Sequence, residues 1–179
     1  MPILLLALLT GCAAETPSPK PVVIDAQPYI DHSPLGGFTG SAQEAIYIIP
    51  GDTASAIFGL REIVVYNLSP KTSFSVEDSL NIVIFRGVYN TGGYSIDISK
   101  VLLDGNTFRV HAVYVDPGPG LITTQAFTHP TAVIPIGKLT KGSYEVRLLV
   151  VQEVITGAGT VIRKEEAERG RIAFTVEGG

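Results

Sequence analysis

The sequence predicts an all-β fold, an immunoglobulin-like antiparallel β-sandwich, behind a lipoprotein signal and a proline-rich tether. Past residue 40, apolar residues either alternate with polar ones or form short continuous runs, and Gly, Pro, Asn and Asp punctuate them. No long segment shows a helical period. The chain has no Trp and a single Cys, so its core must be built from Val, Ile, Leu, Phe and Tyr. The divisions expected are residues 1–11 as signal, 12–40 as lipidated cysteine and tether, and 41–179 as one sandwich domain. A domain of that length is enough to bury a core.

Met1 to Gly11 is uncharged and mostly Leu, Ile and Ala, and it runs into Leu9-Thr10-Gly11-Cys12, which fits a lipobox. Small residues before the cysteine suit an extended chain in a signal peptidase, and the thiol of Cys12 would then carry the lipid. The alternative is an ordinary secretory signal, cut after Cys12-Ala13-Ala14. The apolar run is well under the roughly 18 residues of a membrane span. Pro17, Pro19, Pro21, Pro28 and Pro34 then mark an extended tether, on which Asp31-His32-Ser33 reads as solvated linker.

Ala45 to Ile49 and Arg61 to Tyr66 are β-branched and aromatic, and read as strands. Pro50-Gly51-Asp52 and Asn67-Leu68-Ser69-Pro70 read as turns. Ala54 to Leu60 fits either a helical turn or an edge strand. Leu80 to Val88 is almost unrelieved apolar sequence, as in a buried strand, and Tyr94 to Ser99 alternates strictly. Asn90-Thr91-Gly92-Gly93 connects the two with residues that tolerate positive φ.

Asp104-Gly105-Asn106 predicts a hairpin turn. The next strand places Phe108, Val110, Ala112 and Tyr114 on the core face, with Thr107, Arg109, His111 and Val113 on the other. Asp116-Pro117-Gly118-Pro119-Gly120 predicts a rigid loop. Gln125 to Ile134 reads as a strand that Pro130 confines to an edge or a bulge. Gly142-Ser143-Tyr144 opens another strand in the manner of a tyrosine corner, with Tyr144, Val146, Leu148 and Val150 on one face. Ile172, Phe174 and Val176 do the same in the last strand, and the charged run Arg163 to Arg171 reads as a solvated loop.

The centre of the chain resembles the PrcB C-terminal domain family of bacterial protease-complex subunits. The likeness rests on Gly87-Val88-Tyr89-Asn90-Thr91-Gly92-Gly93-Tyr94-Ser95-Ile96 and Thr107-Phe108-Arg109-Val110. It continues through Asp116-Pro117-Gly118-Pro119-Gly120 and Thr123-Thr124-Gln125-Ala126-Phe127-Thr128-His129-Pro130, and spans Leu80 to about Leu139. Tyr89-Asn90 departs from the Arg-Pro or similar pair that the family suggests, which bears on partner choice.

The resemblance implies a non-enzymatic, lipid-anchored envelope protein that supports the assembly or stability of an extracytoplasmic protease. Where the cell has an outer membrane, Ala13 after Cys12 points there; otherwise the outer face of the cytoplasmic membrane is expected. Two loops, expected at one end of the sandwich as alternate connections of a meander, are the candidate partner-binding residues. They are Tyr89, Asn90, Thr91, Gly92, Gly93 and Tyr94, with Pro117, Gly118, Pro119 and Gly120, and Tyr89 is expected to be an exposed anchor.

Asn90 to Tyr94 also resembles the Thr-Gly-Tyr loop of chagasin-type cysteine-peptidase inhibitors, themselves β-sandwiches, although a chain without Trp lacks their Arg-Pro-Trp piece. Inhibition is therefore the alternative reading, followed by a purely structural envelope lipoprotein. His32, His111 and His129 are scattered without metal-ligand spacing, and no phosphate loop, nucleophile elbow or cofactor motif is present. A net charge of −4 argues against nucleic acid and against electrostatic membrane binding.

Overall fold

A computed structural model describes residues 20–31 and 43–178. The signal segment, Cys12 and His32-Ser33 lie outside the described residues. In chain order the strands are β1 (Val22–Val23), β2 (Tyr29–Asp31), β3 (Ala45–Pro50), β4 (Ser73–Ser75), β5 (Leu80–Phe85) and β6 (Ser95–Asp104). They continue as β7 (Thr107–Pro117), β8 (Thr131–Gly137), β9 (Gly142–Ile155), β10 (Val161–Arg163) and β11 (Ala167–Glu177), and helix α1 (Thr53–Tyr66) falls between β3 and β4.

The larger sheet runs β1-β6-β7-β9-β11-β4, with β10 added on β9, and the smaller runs β2-β8-β5-β3. Period-two patterning builds the layer between them. Phe108, Val110, Ala112 and Tyr114 of β7 and Tyr144, Val146, Leu148 and Val150 of β9 face Ile48, Ile82, Ile84, Ala132 and Ile134 of the smaller sheet. The tyrosine corner is present: the Tyr144 hydroxyl donates to the Thr140 carbonyl at 2.9 Å, and its ring stacks on Phe174.

The strands are not all antiparallel. The β7–β9 and β4–β11 pairs are parallel. The chain leaves β7 for β8 in the other sheet and returns, and two crossings restore its direction. β9 therefore lies beside β7 pointing the same way.

The run from Arg61 to Tyr66 is the second half of α1 rather than a strand. Its β-branched residues lost to context. Asp52 caps the helix by accepting from the Ser55 N–H at 2.8 Å, and Asn67 closes it in the left-handed region at φ 56°. Ala56 and Leu60 bury themselves on the outer face of the smaller sheet, against Ile49, Val83, Phe85 and Val133. The helix comes so close at Gly59 that a Cβ there would sit 2.8 Å from Ile49 Cγ2. This third layer explains why β5 has no polar alternation: Ile82 and Ile84 face the sandwich interior, while Val83 and Phe85 face the helix.

Three further segments depart from expectation. Residues 22–31, read as tether, pair with the sandwich: β1 on β6 at Leu102 and Leu103, and β2 on β8 at Thr131 to Val133. Ile24, Ala26 and Ile30 supply the apolar contacts that hold them there. Gln125 to Pro130 is not strand; β8 begins at Thr131, so Pro130 precedes the ladder instead of interrupting it. Arg163 to Arg171 is mostly strand, divided between β10 and β11 with a bulge at Glu168/Gly170. Its charged side chains stay exposed, as their sequence implies, and Arg163, Arg169 and Arg171 pair there with Glu153, Glu44 and Glu168.

Candidate binding surface

The two loops singled out in the sequence do share one end of the sandwich, for a different reason from the one expected. β5 and β8 belong to the smaller sheet and β6 and β7 to the larger, so both loops cross between sheets. The β5–β6 and β7–β8 connections leave at the end where Phe85 pairs with Thr131 and Ser95 with Val115. The Gly105-Asn106 turn lies at the other end.

The crossing is organised by Arg86, which directly follows β5 and is only 4% exposed. Its guanidinium donates at 2.7 Å to the carbonyls of both Ser95 and Val115, the first pair of the β6–β7 ladder. It also forms an ion pair with Asp116, whose second oxygen accepts from Gln152 Nε2. Tyr114, Tyr89 and Tyr94 present their rings to the cation, with centroids 4.4, 5.3 and 5.6 Å from Cζ. Tyr89 and Tyr94 stack on each other at 3.8 Å. A buried cation is tolerable when it is paired and hydrogen-bonded, and aromatic faces add to its stabilisation. Burial raises the phenol of Tyr89 above its ordinary value, despite the opposing pull of Arg86. The Tyr114 phenol, which donates to Glu44 at 3.0 Å, is raised further, first by burial and then by that carboxylate.

Backbone bonds fasten the loops to each other. Tyr89 and Thr128 exchange N–H···O bonds at 3.0 and 2.9 Å, and the Gly92 N–H donates to Thr124 at 2.8 Å. The Gly118 N–H donates to Ile155 at 2.7 Å, and the Gly157 N–H to Pro119 at 3.0 Å. Gly93, at φ 90°, lies against Pro117: a Cβ there would come within 3.1 Å of the proline Cβ. A side chain would be strained at that position both by its backbone and by its neighbour.

Of the predicted residues, Asn90, Gly93, Pro119 and Gly120 are exposed. Thr91, Pro117 and Gly118 are half-buried, and Gly92 is buried under Thr124. Tyr89 and Tyr94 are also half-buried, because their faces are spent on each other and on Arg86. Tyr89 is therefore not the exposed anchor that the sequence suggested. Exposed apolar side chains of the β7–β8 connection are Leu121, Ile122 and Phe127, with Ile122 98% exposed, and Val161 and Ile162 of β10 are exposed beside them. Two signals for these features stood in the sequence: an arginine ending a buried apolar run, and a Leu-Ile pair inside a Gly/Pro/Thr loop.

Elsewhere, His111 pairs with Glu166 at 2.8 Å on the outer face of the larger sheet, and His129 is buried. Among the described residues no group of three His, Cys, Asp or Glu is placed to hold a metal, and no helix is long and apolar enough to cross a membrane.

Residues 80–136 match the family described as PrcB C-terminal. The match opens at the first residue of β5 and ends within β8, so it contains both crossings and Arg86. It links this segment to protease-complex subunits. No curated protein and no solved structure matches the chain.

Proposed function

From that family match, we propose that the chain is a binding module that associates with an extracytoplasmic protease complex and supports its assembly or stability. In this reading it is not an enzyme. Acylated Cys12 holds it at the cell envelope, on the outer membrane where the cell has one. The observation that carries the reading is the braced loop end: both crossings fall in the matched segment and are pinned to each other through Arg86. Pinned loops lose little freedom on binding, which favours docking. The charged groups there also serve the fold, since Arg86 and Asp116 bind backbone and each other. The inhibitor reading needs a loop that enters a cleft; a buried Gly92, bonded down onto Thr124, supports it less well.

The test is purification of the tagged full chain in mild detergent from the cell that makes it. A protease should co-purify, and its level should fall when the chain is deleted. Cys12→Ala should move the protein from the membrane to the soluble fraction, since stable anchoring takes two acyl chains or an equivalent second signal. Recovery of the chain with no protease, and an unchanged protease level on deletion, would overturn the association. Unchanged membrane fractionation of Cys12→Ala would overturn the anchor.

A further inference from the structure

The loop end has a composition unlike the rest of the surface. Residues 87–94, 117–130 and 155–160 contain no Lys, Arg, Asp or Glu, in a chain that otherwise carries a net charge of −4. From these uncharged loops project Leu121, Ile122 and Phe127, at 36, 98 and 42% exposure. Their loop is braced along its length. The Leu121 N–H donates back to Gly118 at 3.2 Å, Thr124 accepts from Gly92, and Thr128 bonds Tyr89 through both backbone groups and Thr91 through its hydroxyl. Apolar side chains on a fixed backbone are what a protein contact of high quality uses.

Resting on the reading above, we propose that Leu121, Ile122 and Phe127 are the contact point, and that they fit an uncharged apolar depression on a folded protein of the protease complex. The loops 90–94 and 117–120 form the frame around them. Charge selects this kind of partner. The loops themselves carry no charge, and the charges at their base, Arg86, Asp116 and Glu44, are paired within the fold. The loops therefore gain little from an acidic or basic surface, and a charged partner group would lose its water there without a free counter-ion. The direction of the chain disfavours a lipid surface. β1 runs antiparallel beside Leu102 and Leu103, so the residues before Val22 leave the sandwich at the Gly105-Asn106 end. β7 separates the two ends by its 11 residues, about 36 Å at the rise of a strand. An attachment on the N-terminal side and the contact point at Ile122 therefore lie at opposite ends of the domain.

The experiment uses the full chain in the cell that makes it, with a photoreactive benzoylphenylalanine at position 122 or, at the opposite end, at exposed position 141. Position 122 should crosslink to a protein of the protease complex, and position 141 should not. Ile122→Asp should lower co-purified protease about tenfold or more, Ile122→Leu should retain it, and both should keep the wild-type melting temperature because the side chain is in water. Crosslinks from position 122 to lipid or to a second copy of the chain would overturn the proposal. So would full co-purification by Ile122→Asp alongside the wild type, and in that case the association itself would stand. Absence of protease from the wild-type preparation would overturn both.

Discussion

Replacing Arg86 by Met tests whether the loop end is built around this cation. Met has a similar length and fills much of the same apolar channel between Tyr89, Tyr94 and Tyr114, so the loss is mainly polar. The change leaves the carbonyls of Ser95 and Val115 without their side-chain donor and Asp116 with Gln152 alone. Removing one partner of a buried ion pair costs about 3–5 kcal/mol. The lower part of that range applies, because the Asp116 side chain is 22% exposed and regains water. The expected loss is therefore about 3 kcal/mol, a large share of the roughly 5–15 kcal/mol by which domains are stable. For a domain of this size each kcal/mol lowers the melting temperature by about 2–4 °C, so a fall of about 6–12 °C should be seen. Urea titration should show a lower midpoint at unchanged slope, and the near-ultraviolet tyrosine signal should weaken as the Tyr89–Tyr94 stack loosens. Arg86→Met with Asp116→Asn should recover part of the loss, since no carboxylate is then stranded. A single variant within about 1 kcal/mol of wild type would refute the reasoning, because a cation whose removal costs so little holds nothing together.

Tyr144→Phe should cost about 1 kcal/mol through the lost bond to Thr140, and Tyr144→Ala about 3 kcal/mol or more through the cavity beside Phe174, both by chemical denaturation. Gly59→Val should destabilise by about 1–3 kcal/mol in the same assay, because its Cβ would press on Ile49 and force α1 off the sheet. Stability should hold through neutral pH and fall above about pH 10. The phenols of Tyr89 and Tyr114 are raised in the fold by burial, so the unfolded chain gives up these protons first and unfolding gains as pH climbs past the free value. Urea midpoints between pH 8 and 11 would show it, and Tyr114→Phe should flatten the decline.

The sandwich was legible where one side-chain face is buried. Strict alternation in Phe108 to Tyr114 and in Tyr144 to Val150 assigned each residue to the layer it occupies. The helix was hidden because its deciding contacts are remote: Ile63, Val64 and Val65 favour strand locally, while Ala56 and Leu60 seat them on a sheet whose partners come 20 residues later and beyond. Proline density alone suggests a tether at residues 22–31, whereas the alternation of Ile24, Ala26 and Ile30 fits the packed edge that they form. At the site, glycine and proline located the loops correctly, since turn chemistry is local. Side-chain exposure within them is not local. Tyr89 is half-covered by Tyr94 and Arg86, and Ile122 stands out, because of which loops meet across the two sheets.

The docking of residues 22–31 across both sheets has a mechanical side. A pull on the chain ahead of Val22 is borne first by β1, which has only two residues and one further bond, from the Ile24 N–H to Val101. That short clasp is the weakest link under tension, followed by the three residues of β2. Peeling both would pay out about ten residues, up to about 35 Å of slack, at the expense of Ile24, Ala26 and Ile30. The layer held by Phe108, Leu148 and Ile82 would remain closed. The domain thus carries its own extensible leash, which gives way under load before the fold does and sets how far the loop end can travel from whatever holds the N-terminal side.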